Sequence, residues 1–171
     1  MIALGIDPSS AHTGIVVLDG SDVLLETELT YPGKHCWEKV WSLAEQLHPV
    51  LVDHNVGRAC IEGYAFGNRH SLATLVEVGT SYRVVLQRHL HQFHVAQPTQ
   101  LKKFCGAGGK KDKVRLAVYK QWGYEHDSDN VVDAYVLARI AQALGRYTPL
   151  GLTFEQQEVR GQILARERRA K

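Results

Sequence analysis

An aspartate opens the most constraining stretch of the chain, because Asp133 is followed by AYVLARIAQAL. A helix this apolar around its circumference has no solvent face and must be buried. Acids seldom begin such a helix without a partner, so Asp133 calls for a compensating charge or cation. Burying the helix requires a sheet or other helices to cover it. A chain of 171 residues, 44% of them hydrophobic, can provide that cover within one domain.

The covering elements are readable from periodicity. IALGID is a short apolar run ending in an acid, as expected of a buried strand that emerges at a sheet edge. TGIVVLD and DVLLETEL follow as second and third strands of a meander, joined by a Gly-Ser turn. Trp37, Val40, Trp41, Leu43, Ala44, Leu47 and Leu51 have helical spacing from His35 to about His54, with Pro49 marking a kink or an early end. RACIE is another buried strand closed by an acid. Ser71 is the expected cap of a long helix running through Leu72, Val78 and Leu86. FHVAQP returns as a strand, and TQLKKF forms a helical turn capped by Thr99. The run Cys105 to Gly109 requires positive φ somewhere. Helices follow from about Asp112 to Trp122 and from about Ser128 to Leu144, with Gly145 as the stop. Residues 1–150 read as one α/β domain with a mixed sheet, and residues 151–171 as a separate basic amphipathic helix.

No apolar run reaches the length of about 20 residues that spans a bilayer, and the N-terminus has no signal-peptide pattern. The cysteines, Cys36, Cys60 and Cys105, form no CxxC pair, which argues against a zinc knuckle or a disulfide framework. A cytoplasmic setting is the expectation. The net charge of +2 is too small to imply nucleic acid by itself, but its distribution is uneven. Lys102, Lys103, Lys110, Lys111, Lys113, Arg115 and Lys120 lie close together against the single acid Asp112. Arg160, Arg166, Arg168, Arg169 and Lys171 enrich the C-terminus. Such zones either form a field for phosphates or are solvated faces.

Asp7 and Glu62 both end strands. If those strands are neighbours, the two carboxylates project at the same sheet edge. Asp129 and Asp133 lie four residues apart and share a helix face. Oxygen ligands from separate elements, kept apart from His and Cys, suit Mg²⁺ or Mn²⁺ rather than Zn²⁺. Two such ions about 4 Å apart would activate water on one side of a phosphodiester and stabilise the leaving 3′-oxygen on the other.

GIDPSSAHTG, IEGYAFG, GAGGKKDKV and DSDNVVDAYVLA occur here in the order found in RuvC-type Holliday junction resolvases. Over roughly residues 1–146 the chain resembles that family, and in particular its compact phage-encoded members. The resemblance implies an RNase H-like fold, a mixed five-stranded sheet flanked by helices. It also implies a homodimer acting on branched DNA, in a bacterial or phage-infected cell. Paired symmetric nicks across a four-way junction would leave 5′-phosphate and 3′-hydroxyl ends, with two Mg²⁺ ions (Mn²⁺ substituting) in each active site. By motif position Asp7 looks like the metal bridge of the first strand, Glu62 the ligand on the fourth, and Asp133 the last helical acid. Asp129 is chosen as the remaining ligand, since Asn130 holds the competing register; His126 and Asp127 are alternates. Lys113 looks like the lysine that contacts the scissile region, with Lys111 as its alternate. Tyr64 and Phe66 fall where the family places an aromatic that stacks at an opened junction. Lys102, Lys103, Lys110, Lys111, Lys113 and Arg115 complete the expected DNA surface.

Three other readings compete with this one. The first is a nuclease of the same fold acting on RNA, flaps or forks. The second is a non-catalytic junction-binding module, against which the presence of every expected acid argues. The third, a nucleotide-binding protein of the actin and sugar-kinase class, would need a second phosphate loop and a second domain, and this length accommodates neither.

Overall fold

The computed structural model describes residues 1–31, 36–64, 69–90, 93–108, 113–145 and 151–169. Strands β1 (Ala3–Asp7), β2 (His12–Asp19) and β3 (Asp22–Thr30) form the expected meander. Helix α1 (Cys36–Asp53), strand β4 (Arg58–Glu62), helix α2 (Arg69–His89) and strand β5 (Phe93–Ala96) follow. Among the described residues the helices α3 (Pro98–Phe104), α4 (Val114–Trp122), α5 (Asp129–Ala143) and α6 (Phe154–Arg169) come next. The sheet order is β3-β2-β1-β4-β5, in which β1 runs antiparallel to β2 and parallel to β4, and β4 runs parallel to β5. This is the mixed five-stranded sheet flanked by helices.

Strand alternation sorts the core into two layers. Leu4, Ile6, Ile15, Val17, Ala59 and Ile61 pack with Leu43, Leu47, Tyr82 and Leu86 of α1 and α2. Ala3, Val16, Leu18, Cys60 and Ala96 pack on the opposite face with α5 and with residues of α3, α4 and α6. Helix α5 is the buried one: Val131, Val132 and Ala134 through Ala138 are at most 2% exposed. Its approach to the sheet is very close at Gly5, where a Cβ would sit 1.9 Å from the Ala134 carbonyl oxygen.

Several helix ends differ from their expected positions. Pro49 lies inside α1 without ending it, since Leu47 and Leu51 on either side are both buried and hold the turn in the core. Helix α2 begins at Arg69, before Ser71. Helix α3 is capped by Gln97 rather than Thr99. Pro98 suits the first helical position because no donor is needed there, and Gln100 Oε1 accepts the Gln97 N–H at 2.9 Å. Helix α5 begins at Asp129 with Ser128 as its N-cap, the Ser128 side chain accepting the Val131 N–H, and Leu144 is its C-cap, directly before Gly145. Gly106 and Gly108 take φ values of 77° and 61°, the turn the Gly-rich run required.

The C-terminal helix is part of the main core. Val159 and Ile163 of α6 are fully buried, each contributing about 1.5–3 kcal/mol relative to an exposed side chain. The helix is also pinned by polar contacts. Gln156 Nε2 donates to the Phe104 carbonyl, and Arg160 Nε donates to the Ala143 carbonyl at the end of α5. Arg166 donates to the Val95 carbonyl, and His94 Nδ1 lies 2.8 Å from Glu167 Oε1. Burial pushes the His94 imidazole below its usual 6.5, with Arg58 adding to the shift and Glu167 opposing it. The neutral ring is therefore favoured in the folded state, and its contribution is present above the unfolded value and lost as pH falls through the folded one. Thermal stability is expected to fall as pH drops below the usual imidazole value, with α6 amides losing protection from hydrogen exchange first. His94→Gln should flatten that part of the profile; an unchanged profile would reject this role for His94.

Candidate active site

The register of the parallel pair brings the two strand-terminal acids together. Ile6 lies opposite Ile61, so Asp7 and Glu62, the next residue on each strand, end side by side. Alternation puts both on the α5 face: Ala3 and Cys60 belong to the core of that face, and Asp7 and Glu62 follow them at even spacing. Asp7 is only 6% exposed, while Glu62 is half-buried. Pro8, Glu62 and Gly63 line one small cavity of about 40 Å³, so the turn after Asp7 faces the end of β4. Ser9 organises that turn, its hydroxyl accepting the His12 N–H at 3.0 Å.

The first turn of α5 crosses the sheet at this level. Gly14 pairs with Asp7 across β1 and β2, and a Cβ on Gly14 would meet the Asn130 carbonyl oxygen at 2.0 Å. The two acids of α5 then diverge. Asp133 is half-buried, and its charge acts on Cys105 at the end of α3. Asp129 is exposed and accepts Arg115 Nε at 2.5 Å. Asn130 turns the other way, donating to Glu28 Oε1 at 3.0 Å and to the His12 carbonyl. Of the alternates, His126 accepts the Ser128 N–H at 3.0 Å, and the Asp127 carbonyl accepts from Arg115.

Two positioning residues left no signal in the sequence. Glu28 reads as one polar position of an alternating strand, yet it also accepts the Ser128 hydroxyl and so anchors the start of α5 to β3. That hydrogen bond, helped by Asn130, His12 and His126, holds its carboxyl below the usual range. Arg83 of α2 donates to the Glu62 carbonyl at 3.0 Å and lies over the Tyr64 ring. Tyr64 is thereby committed to α2, with its hydroxyl 3.0 Å from Thr80 Oγ1. Phe66, Lys110 and Lys111 lie outside the described residues. Lys113 is exposed at the N-cap of α4. Lys103 is paired with Glu158 of α6 at 2.5 Å, so part of the basic zone serves internal docking.

The donor chemistry fits a hard divalent cation. Cys105, the thiol beside Asp133, is pushed up to about 11, mainly by burial, and Cys60 is raised further for the same reason. Neither thiol is ionised at neutral pH, and His94 is engaged by Glu167. The carboxylates at this edge are oxygen donors, the kind preferred by Mg²⁺ or Mn²⁺. Among the described residues, no three His, Cys, Asp or Glu side chains are gathered into a group that could hold an ion. Facing carboxylates repel one another, and Asp129 has Arg115 as its partner.

No protein-family model matches the chain, and no curated protein matches its sequence. Solved structures do match. Thermus thermophilus RuvC superposes with a TM-score of 0.69 at 20% identity, over 81% of this chain and 91% of that one. The same protein in complex with a Holliday junction substrate gives 0.68 at 17%, over 81% and 90%. The fold is that of RuvC. The yeast mitochondrial Holliday junction resolvase is a more distant match, with a TM-score of 0.52 at 9% identity over 95% of this chain and 80% of that one. The RuvC fold accounts for the sheet order and for the central place of α5. It is an RNase H-like arrangement, in agreement with the sequence reading.

Proposed function

We propose that this chain is a divalent-metal-dependent, structure-selective endodeoxyribonuclease that resolves four-way DNA junctions by paired symmetric nicks. The observation that carries the reading is the convergence of Asp7, Glu62 and the first turn of α5 on one edge and one face of the sheet. The structural likeness to RuvC with a Holliday junction substrate supports the choice of DNA.

In this reading Asp7, Glu62, Asp133 and Asp129 would hold Mg²⁺. When bound, the metal would supply Lewis-acid activation of the phosphodiester and of water, with 5′-phosphate and 3′-hydroxyl ends as products. The chain's own residues do the positioning. The β1–β4 register fixes the spacing of Asp7 and Glu62, and Glu28 holds α5 in place through Ser128 and Asn130. Lys113, exposed at the N-cap of α4, contacts the scissile phosphate, and Lys102 extends the phosphate surface, together with Lys110 and Lys111. Phe66, rather than the engaged Tyr64, supplies the stacking ring. A second copy of the chain packs on the apolar groove between α1 and α2, where Trp41 is 69% exposed and Val84 48%. A two-fold dimer matches a two-fold substrate.

Labelled four-way junctions, flaps and linear duplex, each with Mg²⁺ and with EDTA, test the proposal. Symmetric junction nicks that require Mg²⁺ are expected, with binding that weakens steeply as salt rises. Equal cleavage of flaps and junctions would broaden the substrate to branched DNA in general. No cleavage of any branched DNA with Mg²⁺ or Mn²⁺ would overturn the proposal.

A further inference from the structure

A second concavity is linked to Asp129 through Arg115. Between α4 and the start of α5 lies a cavity of about 640 Å³, within the range of about 300–1,000 Å³ usual for small-molecule sites. Tyr119, Tyr124, Glu125, His126 and Asp127 line it, together with Arg115, the ion-pair partner of Asp129. The two tyrosines differ in role. Tyr124 stacks on Tyr135 with centroids 3.9 Å apart and 7° between planes, and its hydroxyl donates to Glu26 at 2.7 Å. It is a fixed wall. Tyr119 is 51% exposed and presents its ring to anything that enters.

The electrostatics select the occupant. Arg115, the guanidinium at the cavity, is already engaged by the Asp129 carboxylate and the Asp127 carbonyl. Glu125 and Asp127 add negative charge, which disfavours a phosphate and offers acceptors to an amine. A flat ring carrying an exocyclic amino group satisfies both the tyrosine face and the carboxylates, as when Asp or Glu accepts from cytosine N4. A paired base inside a duplex cannot reach such a cavity, whereas a base released at a branch point can.

We propose that this cavity takes one unpaired, amino-bearing base of the branched DNA (adenine, cytosine or guanine), stacked on Tyr119 with Glu125 or Asp127 accepting from its exocyclic amine. This rests on branched DNA being the substrate and adds a base-reading subsite beside the metal ligands. Through Arg115, a base in the cavity is linked to the position of Asp129, so occupancy bears on the geometry of that acid.

The test measures binding of four-way junctions in EDTA, with each crossover nucleotide in turn made abasic or replaced by thymine. Tyr119→Ala is expected to weaken binding about tenfold, and Tyr119→Phe to restore it, because stacking uses the ring and not the hydroxyl. One abasic position should reproduce the loss in the wild type and add nothing in Tyr119→Ala, and thymine at that position should bind more weakly than cytosine. Equal affinity of wild type and Tyr119→Ala for intact and abasic junctions, in a protein that cleaves junctions with Mg²⁺, would overturn the cavity assignment alone. A wild-type protein that binds no branched DNA overturns both readings.

Discussion

Asp7→Asn is expected to lower junction cleavage by at least about a thousandfold without unfolding the protein. Asp7 stands at the centre of the proposed ligand set, between Glu62 on the neighbouring strand and the first turn of α5. Replacing its charged oxygen by an amide weakens the hold on the metal, and a loss of roughly 4 kcal/mol in transition-state stabilisation corresponds to about three decades of rate. Stability should move the other way. A carboxylate only 6% exposed carries a desolvation penalty and ends beside Glu62, and the isosteric amide lowers both costs. Thermal melting should therefore be unchanged or slightly higher while single-turnover cleavage collapses. A variant that melts normally and still cuts junctions within about tenfold of wild type would remove Asp7 from the chemistry.

Gly5→Ala is expected to be the most damaging small substitution in the core. The added Cβ would lie 1.9 Å from the Ala134 carbonyl oxygen and 2.5 Å from the Ala138 backbone nitrogen. Both are backbone atoms of the buried α5, and neither can rotate aside as a side chain would. Overpacking usually costs about 1–3 kcal/mol, and a clash with helix backbone should reach or exceed the top of that range. A drop in melting temperature of about 6–12 °C or more follows for a chain of this size. Gly161→Ala is the control. Nothing lies within 4 Å of a Cβ there, so helix propensity should raise stability by up to about 1 kcal/mol. If Gly5→Ala melted within about a degree of wild type, the close approach of α5 to β1 would be wrong.

The fold was legible where periodicity and burial coincide. The apolar run after Asp133 demanded a buried helix, and α5 is the element that both sheet and helices cover. The near-continuous apolar runs of β1, β2 and β4 marked strands that are buried on both faces. Helix ends were less legible, because a cap is decided by local hydrogen bonds: Gln97 with Gln100 outcompeted Thr99, and flanking buried leucines carried α1 through Pro49. The basic zones misled in part. Lys103, Arg115, Arg160 and Arg166 are engaged with Glu158, Asp129 and backbone carbonyls. Composition records a charge without recording which way it points.

Asp133 and the apolar helix behind it therefore came from the sequence alone, as did the strand-terminal positions of Asp7 and Glu62, because both follow from short-range pattern and the need to bury apolar surface; that the two acids end side by side was decided by the β1–β4 register. Only the tertiary structure separated Asp133 from Asp129, turning one toward Cys105 and leaving the other exposed against Arg115. It alone revealed Glu28 as the anchor of α5 and docked α6 into the core. The reason is physical: residues distant in sequence share no local signal, and their interaction exists only once the sheet register and the close contact at Gly5 and Gly14 bring the elements together.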